Sequence, residues 1–548
     1  MKKVTYLIVA LLLAACFEDK GNYSYNVINE IVIDTVGFPV AYTAEAGGRL
    51  VIDPVIAFSG EAIAGEELAY EWYFYSSSLA VNDWYPVSRE KKLDLKMIYA
   101  AGAYKATLYV TDTRRNLTSH ATFDVNLISK ISHGMLLFHV AGGEADFDYV
   151  ATPSTVRELD SAVHMRDVFY TFNGRKLRGN PLTVRHSAID GRAVNCIYVS
   201  TDQELLRLYA RTFLLEHDAG ELLVPPLPPR LHFEHIDGQG GSSINVVFFI
   251  SDGSLRRLSY GAQHYADYSI PTPQSPGAAL GPDVRLAPFS VRPTTSGSIV
   301  YNPMFYDTVG QRFVYLANVG SSTSTLEPLP AQLPAALFDV NNIGKELLFL
   351  ERGNRYFGLA VFSGGPGDYW LYEINLPAAG AYSITGATNL AHGKHDMSAL
   401  PGIDEAVAFD AGTKGDFLLY ATRRDIYTCD YQGANPDVAA RTAPVTATRV
   451  NDDFPAGEEI TGIKVYKYDG GIYSQGGGGA SDPSYIYYNA LNSSLLYVST
   501  WDGTEGHLYE FALSPVDGRL VNKTPLYRFD GFGRVVDMGI KIQYREAF

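Results

Sequence analysis

Closely spaced histidines and carboxylates are where chemistry would first be expected in this chain. Two histidine pairs stand three positions apart, His232 and His235 in HFEH and His392 and His395 in HGKHD. Imidazoles ligate metals, but a spacing of three puts two of them on one face only in a helix. Both pairs lie in stretches flanked by glycine and proline, so they read as solvated loop residues. Asp146 and Asp148 in EADFDY, and Asp452 and Asp453 in NDDF, offer hard oxygens for calcium. Neither pair has the spacing of a calcium loop, and solvated turns are the expectation. GxSxG, HExxH, GxGxxG and P-loop patterns do not occur, so the corresponding hydrolase, zinc and nucleotide chemistries have no support. The reading assigns no catalytic residue, no metal ligand and no cofactor.

Aromatic residues offer a better binding signal. Trp501 and Asp502 sit in STWDGTEGH, where a core role for the indole is awkward. Tyr369 and Trp370 follow GGPGD ahead of a strand-like run. Aromatic faces stack on sugar rings and on peptide side chains, and loops carry function. These four residues are the candidate ligand contacts.

The elements that must position them are strands. Short runs rich in β-branched and aromatic residues alternate with Gly, Pro, Asp and Asn, which predicts an all-β protein. From about residue 129 one theme recurs: an apolar strand, a polar turn, a second strand. It appears at 134–150, 194–210, 244–260, 311–320, 346–362, 415–431 and 494–511. Strand units that cannot bury both faces alone, repeated at this period, predict a β-propeller over 129–548, seven-bladed by this count, with eight blades or six with an insertion as the alternatives. The strand EEITGIKVYKY (458–468) has a likeness in RVVDMGIKIQY (534–544), with no chain left after it to complete a blade. The C-terminal strand is therefore expected to pair with the strands at 134–150 and close the ring, which removes free edges. The sialidase-type box S-x-D-x-G-x-x-W is matched only in fragments, by SDGSLRR and STWDGTEGH. Propeller glycosidases use paired carboxylates, but 60 acidic residues make some pair inevitable. QGGGG (475–479) reads as a flexible loop and VPPLPPR (224–230) as a polyproline-like connector.

Residues 26–128 form a separate unit. In GAYKATLYVTD, Tyr104, Ala106, Leu108 and Val110 share one face by the period of two. A central Trp72 and a Gly-x-Tyr strand about thirty residues later follow the pattern of an Ig-like sandwich. GAYKATLYVTD resembles the G-x-Y-x-x-x-L-x-V-T-D strand of PKD domains. CFEDKGNYSYNVINEI resembles the start of PKD-like family lipoproteins of Bacteroidetes. That resemblance covers 16–128 well and the remainder only in general character. It implies an association with Sus-type outer-membrane nutrient importers, SusC/SusD-like proteins made of a transporter barrel and a substrate-capturing lipoprotein. It supplies no catalytic residues. In this unit Trp84 and Tyr85 are the exposed aromatics to suspect.

The chain opens with MKKVTYLIVALLLAACFEDK. Lys2 and Lys3 precede a short apolar run, and a membrane span needs roughly twenty such residues. Residues 1–15 read as a signal peptide. Leu13-Ala14-Ala15-Cys16 resembles the lipobox of bacterial lipoproteins, which implies acylation of Cys16 and a lipid anchor in the outer membrane. Residues 16–25 are then a tether, and Glu18 and Asp19 resemble the surface-export signal of Bacteroidetes lipoproteins. The formal charge of −16 excludes a nucleic-acid partner. Cys196 and Cys429 sit in apolar runs and read as buried thiols. The composite expectation is a non-enzymatic, surface-exposed accessory component of a Sus-like uptake system that binds a glycan or peptide. A propeller hydrolase acting on surface glycans or peptides, and a purely structural importer subunit, are the alternatives.

Overall fold

The computed structural model describes residues 29–542 apart from internal stretches, the longest being 77–84, 262–271, 293–301, 377–389 and 469–488. Cys16, Glu18, Asp19, Trp84, the QGGGG stretch and most of VPPLPPR fall outside the described residues. The chain divides into two compact units, Met1–Ser129 and Lys130–Phe548.

In the first unit a four-stranded sheet runs in the order Ala41–Glu45, Leu117–Ile128, Gly102–Asp112, Leu68–Ser76. Two smaller pairs accompany it, Ile31–Asp34 with Val55–Phe58 and Arg49–Ile52 with Leu93–Lys96. Tyr104, Ala106, Leu108 and Val110 are all buried, so the expected face of that strand is the core face. Trp72 is fully buried against Phe123. Its indole N–H donates to the carbonyls of Glu90 (3.1 Å) and Lys91 (3.3 Å). A buried indole needs such a partner, and here the segment just beyond residue 84 provides it. Tyr85 is exposed.

The second unit contains, among the described residues, seven antiparallel sheets. Sheet 1 has the order Val163–Met165, Glu144–Ala151, Gly134–Ala141, Arg534–Lys541. Sheets 2 to 7 follow in sequence, spanning 181–218, 233–273, 304–328, 346–396, 408–449 and 459–532. The C-terminal strand Arg534–Lys541 pairs antiparallel with Gly134–Ala141, so residues from both ends of the unit share one sheet.

Why these runs are almost continuously apolar is clear from the packing. In Gly134–Ala141, Leu136 and Phe138 join a cluster with Val184, Ile197 and Leu208 of sheet 2. Met135 and Leu137 point the other way, into a cluster with Leu495, Tyr497 and Leu508 of sheet 7. Both faces of the strand are buried, so alternation of polar and apolar residues disappears. Every neighbouring pair has its own cluster: sheets 2 and 3, 3 and 4, 4 and 5, 5 and 6, and 6 and 7. The chain of contacts therefore returns to its start.

Two sequence expectations shift in register. The run 346–362 supplies the first and second strands of sheet 5, whereas 134–150, 194–210, 244–260, 415–431 and 494–511 supply middle strands. Sheet 5 continues into Asp368–Asn375 and Ala391–Asp396. The GIK matches are also offset. Gly462 follows directly on an unpaired residue of its strand, Thr461, while Gly539 stands three places beyond the equivalent Val536.

Leu137 lies at the seam and is fully buried, so Leu137→Ala should destabilise the second unit by about 2–5 kcal/mol. Val536→Ala, at an exposed position of the same seam, should stay within about 0.5 kcal/mol. Denaturant midpoints of the two variants against the parent check this contrast.

Candidate functional site

The inward-facing strand of each sheet carries extra residues, one in six of the sheets and two in sheet 4. Leu182, Glu234, Leu348, Thr461 and Val536 each stand unpaired where the register with the second strand shifts. In sheet 6, Val407 N–H bonds the carbonyl of Ala421, which also stands opposite Ala408. In sheet 4 the segment ahead of Met304 runs from Ala287 to Val291 while its partner advances only from Tyr306 to Met304, a gain of two residues with Phe289 at its middle. A β-bulge of this kind bends a strand and re-aims a side chain. All seven of these side chains are half-buried or exposed.

Three residues beyond each bulge stands Arg185, Asp237, Arg292, Glu351, Asp410 or Lys464, and in sheet 1 Gly539. A Cβ on Gly539 would come within 2.5 Å of the Val184 carbonyl, so the close approach of sheets 1 and 2 leaves no room for a side chain. The inward strands of all seven sheets surround a cavity of about 620 Å³. Arg185, Asp237, Glu351 and Lys464 line it, and their side chains are 26–32% exposed. Phe289, Phe349 and Phe409, on sheets 4, 5 and 6, form an aromatic arc on its wall. Their ring centroids are 6.5 Å apart for the first pair and 6.0 Å for the second.

The charges are matched across sheet boundaries. Asp537 Oδ2 of sheet 1 accepts from Val184 N–H (2.9 Å), Thr183 Oγ1 (2.9 Å) and Arg185 Nη1 (2.5 Å) of sheet 2. Burial works to raise this carboxyl, but Arg185 and the hydrogen bonds outweigh it and hold the group below its ordinary value. Asp237 of sheet 3 accepts from Ser290 Oγ (3.0 Å) and pairs with Arg292 Nε (3.4 Å). Asp410 of sheet 6 accepts from Val465 N–H of sheet 7 (2.7 Å) and from Lys467. Lys467 also pairs with Glu351 of sheet 5 at 2.6 Å. Asp410 is raised, first by burial and then by the neighbouring Glu351. Burial acts on Glu351 in the same sense, but Lys464 and Lys467 overcome it and keep that carboxyl ionised.

The histidines behave differently from the sequence expectation. His235, His392 and His395 are strand residues, not loops, while His232 stands just ahead of its strand. His235 Nε2 lies 2.9 Å from Ser290 Oγ, whose single proton goes to Asp237. Nε2 must therefore be the donor, which fixes the neutral tautomer. His395 is buried, with Nε2 2.6 Å from Glu373 and Nδ1 2.9 Å from the Ala443 carbonyl. Asp146 and Asp148 are not solvated turns: both are fully buried in the strand Glu144–Ala151. Asp146 accepts the N–H groups of Phe147, Phe169 and Tyr170. Asp148 bridges His139 (2.9 Å) and His164 (2.7 Å). Asp452 and Asp453 form ion pairs with Lys523 and Arg449. His139, Asp148 and Asp167 bring potential metal ligands within 4.8 Å of one another, away from the cavity lining.

Trp501, Asp502, Tyr369 and Trp370 lie on sheets 7 and 5, and none of them lines the cavity. Trp501 is half-buried, opposite Glu459 and Gly506. Asp502 turns the hairpin: its carboxylate accepts the N–H groups of Glu505 and Thr504 and the Thr504 hydroxyl, which hold it well below its ordinary value. Trp370 donates to Asp368 and lies under Lys394 (4.8 Å) and Lys345 (5.8 Å), against the cluster joining sheets 4 and 5. Tyr369 packs half-buried between sheets 5 and 6. Cys196 and Cys429 are buried free thiols, both pushed up to about 12 by burial. The charged ring was missed from sequence. Its signal is the recurring apolar-charged pair in TVRH, HIDG, SVRP, FLERG, AFDAG and GIKV.

Residues 16–181 match the PKD-like family, a span that runs past the first unit and ends at the start of sheet 2. No curated protein matches the chain. Solved structures similar to it include a quinonprotein alcohol dehydrogenase-like protein from Bacteroides thetaiotaomicron, 12% identical, TM-score 0.35, covering 92% of this chain and 99% of that one. Two β-propeller domains are also similar. The Swd1 domain of Myceliophteria thermophila is 10% identical with a TM-score of 0.33, covering 63% of this chain and 88% of that one. The Nup133 domain of Vanderwaltozyma polyspora is 9% identical with a TM-score of 0.31, covering 66% and 97%. The chain is all-β with propeller-like neighbours.

Burial pushes the His235 imidazole down to about 4. Protonation at ordinary values near 6.5 is thus open to the unfolded chain and resisted by the folded one. The stability this provides is whole above pH 6.5 and is lost as pH falls from 6.5 toward 4. His235→Gln should flatten that part of the stability profile, as read from denaturant midpoints at a series of pH values.

Proposed function

We propose that this protein is a non-enzymatic accessory lipoprotein of the outer cell surface, serving a Sus-like nutrient uptake system. Acylated Cys16 is the anchor, with Glu18 and Asp19 as the export signal. A PKD/Ig-like sandwich (26–128) spaces a seven-bladed propeller (129–548) from the membrane, and the propeller captures a glycan or peptide for importer partners. The match of residues 16–181 to the PKD-like family supports the general assignment.

One observation carries the capture role: a cavity of about 620 Å³ whose wall takes one strand from every sheet and presents a charged ring beneath a lip of bulge residues. Pockets of about 300–1,000 Å³ with a few convergent polar groups on an apolar wall are typical ligand sites. The carboxylates there favour binding over proton transfer. Asp537 is engaged by Val184 N–H, the Thr183 hydroxyl and Arg185, partners that tie sheet 1 to sheet 2.

The lipoprotein reading predicts that Cys16→Ala moves the protein from the membrane fraction to the soluble fraction and abolishes surface labelling of intact cells. Membrane partitioning unchanged in that variant would overturn it. Solubilised from native membranes, the parent protein should co-purify with a transporter barrel; a partnerless, monodisperse protein counts against the importer role.

A further inference from the structure

The cavity's charge pattern narrows the ligand. Resting on the capture reading above, we infer that the cavity takes a neutral, hydroxyl-rich ligand: one or two rings of an uncharged sugar.

Cations and anions meet in pairs around the wall. Arg185 is held by Asp537 at 2.5 Å, Arg292 by Asp237 at 3.4 Å, and Lys467 by Glu351 at 2.6 Å. Lys464 lies 3.8 Å from Asp410. A ligand with a net charge would have to compete with one of these partners and leave the other uncompensated in a partly desolvated site, which is costly. A hydroxyl needs no such displacement. It can donate to a carboxylate oxygen and accept from the paired cation at once, since each carboxylate keeps lone pairs and each guanidinium keeps N–H groups. The paired ring is thus a set of donors and acceptors with little net field.

The remaining wall fits the same class. Phe289, Phe349 and Phe409 present hydrocarbon faces on sheets 4 to 6, while Ser187, Thr461 and Ser499 bring hydroxyl oxygens from sheets 2 and 7. Ser187 Oγ is buried and has no hydrogen-bond partner among the described residues, a cost that a ligand hydroxyl reaching it would relieve. An apolar arc facing polar groups suits a ring with C–H faces and an equatorial belt of hydroxyls. The volume of about 620 Å³ holds a small saccharide. The bulge residues Val407 and Val536, 42% and 51% exposed, flank the entrance without closing it.

The test is binding of the full-length lipid-free protein to an array of neutral mono- and disaccharides, matched uronic acids and dipeptides, followed by calorimetry on the best probe. The neutral sugar should bind at least about tenfold more tightly than its uronate. Val407→Trp, a bulky plug at an exposed position, should abolish binding with the fold unchanged by circular dichroism. Asp537→Asn keeps the acceptor for Val184 N–H but removes the charge facing Arg185, and should shift preference toward the uronate by about tenfold. Tighter binding of uronates or dipeptides to the parent, still blocked by Val407→Trp, overturns this inference and leaves the capture reading standing. Sugar binding that survives Val407→Trp overturns the cavity as the site. Binding of no probe at all overturns the inference and counts against capture itself.

Discussion

The pairing of Arg534–Lys541 with Gly134–Ala141 is the constraint on which the second unit depends. Each sheet buries both faces against its neighbours, so no single seam can open without exposing two apolar surfaces. At this seam the exposed set would be Met135, Leu137, Tyr497, Leu508, Val535 and Met538 on one side of sheet 1. The pairing joins residues about four hundred positions apart. Loop-closure entropy grows only slowly with length, so the cost of that separation is modest beside the area the closed cycle buries. The strand edge that sheet 1 would otherwise present is consumed in the process.

Closure also sets the cavity. Arg534–Lys541 places Asp537 against Val184 N–H and Arg185, so the ring of charges is complete only when the last strand is in place. A similar device recurs with Asp237 and with Asp410: an inward carboxylate takes a hydrogen bond and a cation from the next sheet. Register and polarity of the wall therefore come from the same residues. The bulges make this possible. The extra residue in each inward strand, or the pair in sheet 4, turns one side chain toward the lip and returns the following residues to the sheet faces, so the charged position stands three residues beyond the bulge.

Elsewhere in sheet 1, buried charge serves packing. Asp148 holds His139 and His164 across three strands, and Asp146 accepts the Phe169 and Tyr170 N–H groups in the first turn of the short helix Val168–Asn173. Polar groups this deeply buried persist because every one of these oxygens has a donor. The PKD-like family match extends to residue 181, so the stretch it covers includes the strand Gly134–Ala141 onto which the C-terminal strand closes.

Much of the fold was legible in the sequence because its cause is local or periodic. Alternation in GAYKATLYVTD marked the core face of Tyr104, Ala106, Leu108 and Val110, and paired apolar runs marked the strands of the second unit. The likeness of 534–544 to 458–468 pointed to the strand that closes sheet 1, though matching GIK to GIK put the two strands out of register. Only the hydrogen-bond ladder locates the bulge, and a bulge leaves no fixed residue type behind: Leu182, Glu234, Phe289, Leu348, Val407, Thr461 and Val536 share a position and no chemistry. For the same reason the cavity could not be read from the chain. The charged ring draws one residue from each of six sheets spread from Arg185 to Lys464, and Trp501 and Trp370 looked more conspicuous because they stand beside turns. Asp146, Asp148 and the histidines were misjudged on local polarity, since burial depends on which distant N–H or imidazole comes to meet them. The sequence determined where the main strand pairs fall and their order along the chain; the closed packing of those strands decided which polar side chains face a cavity and which are held inside a sheet.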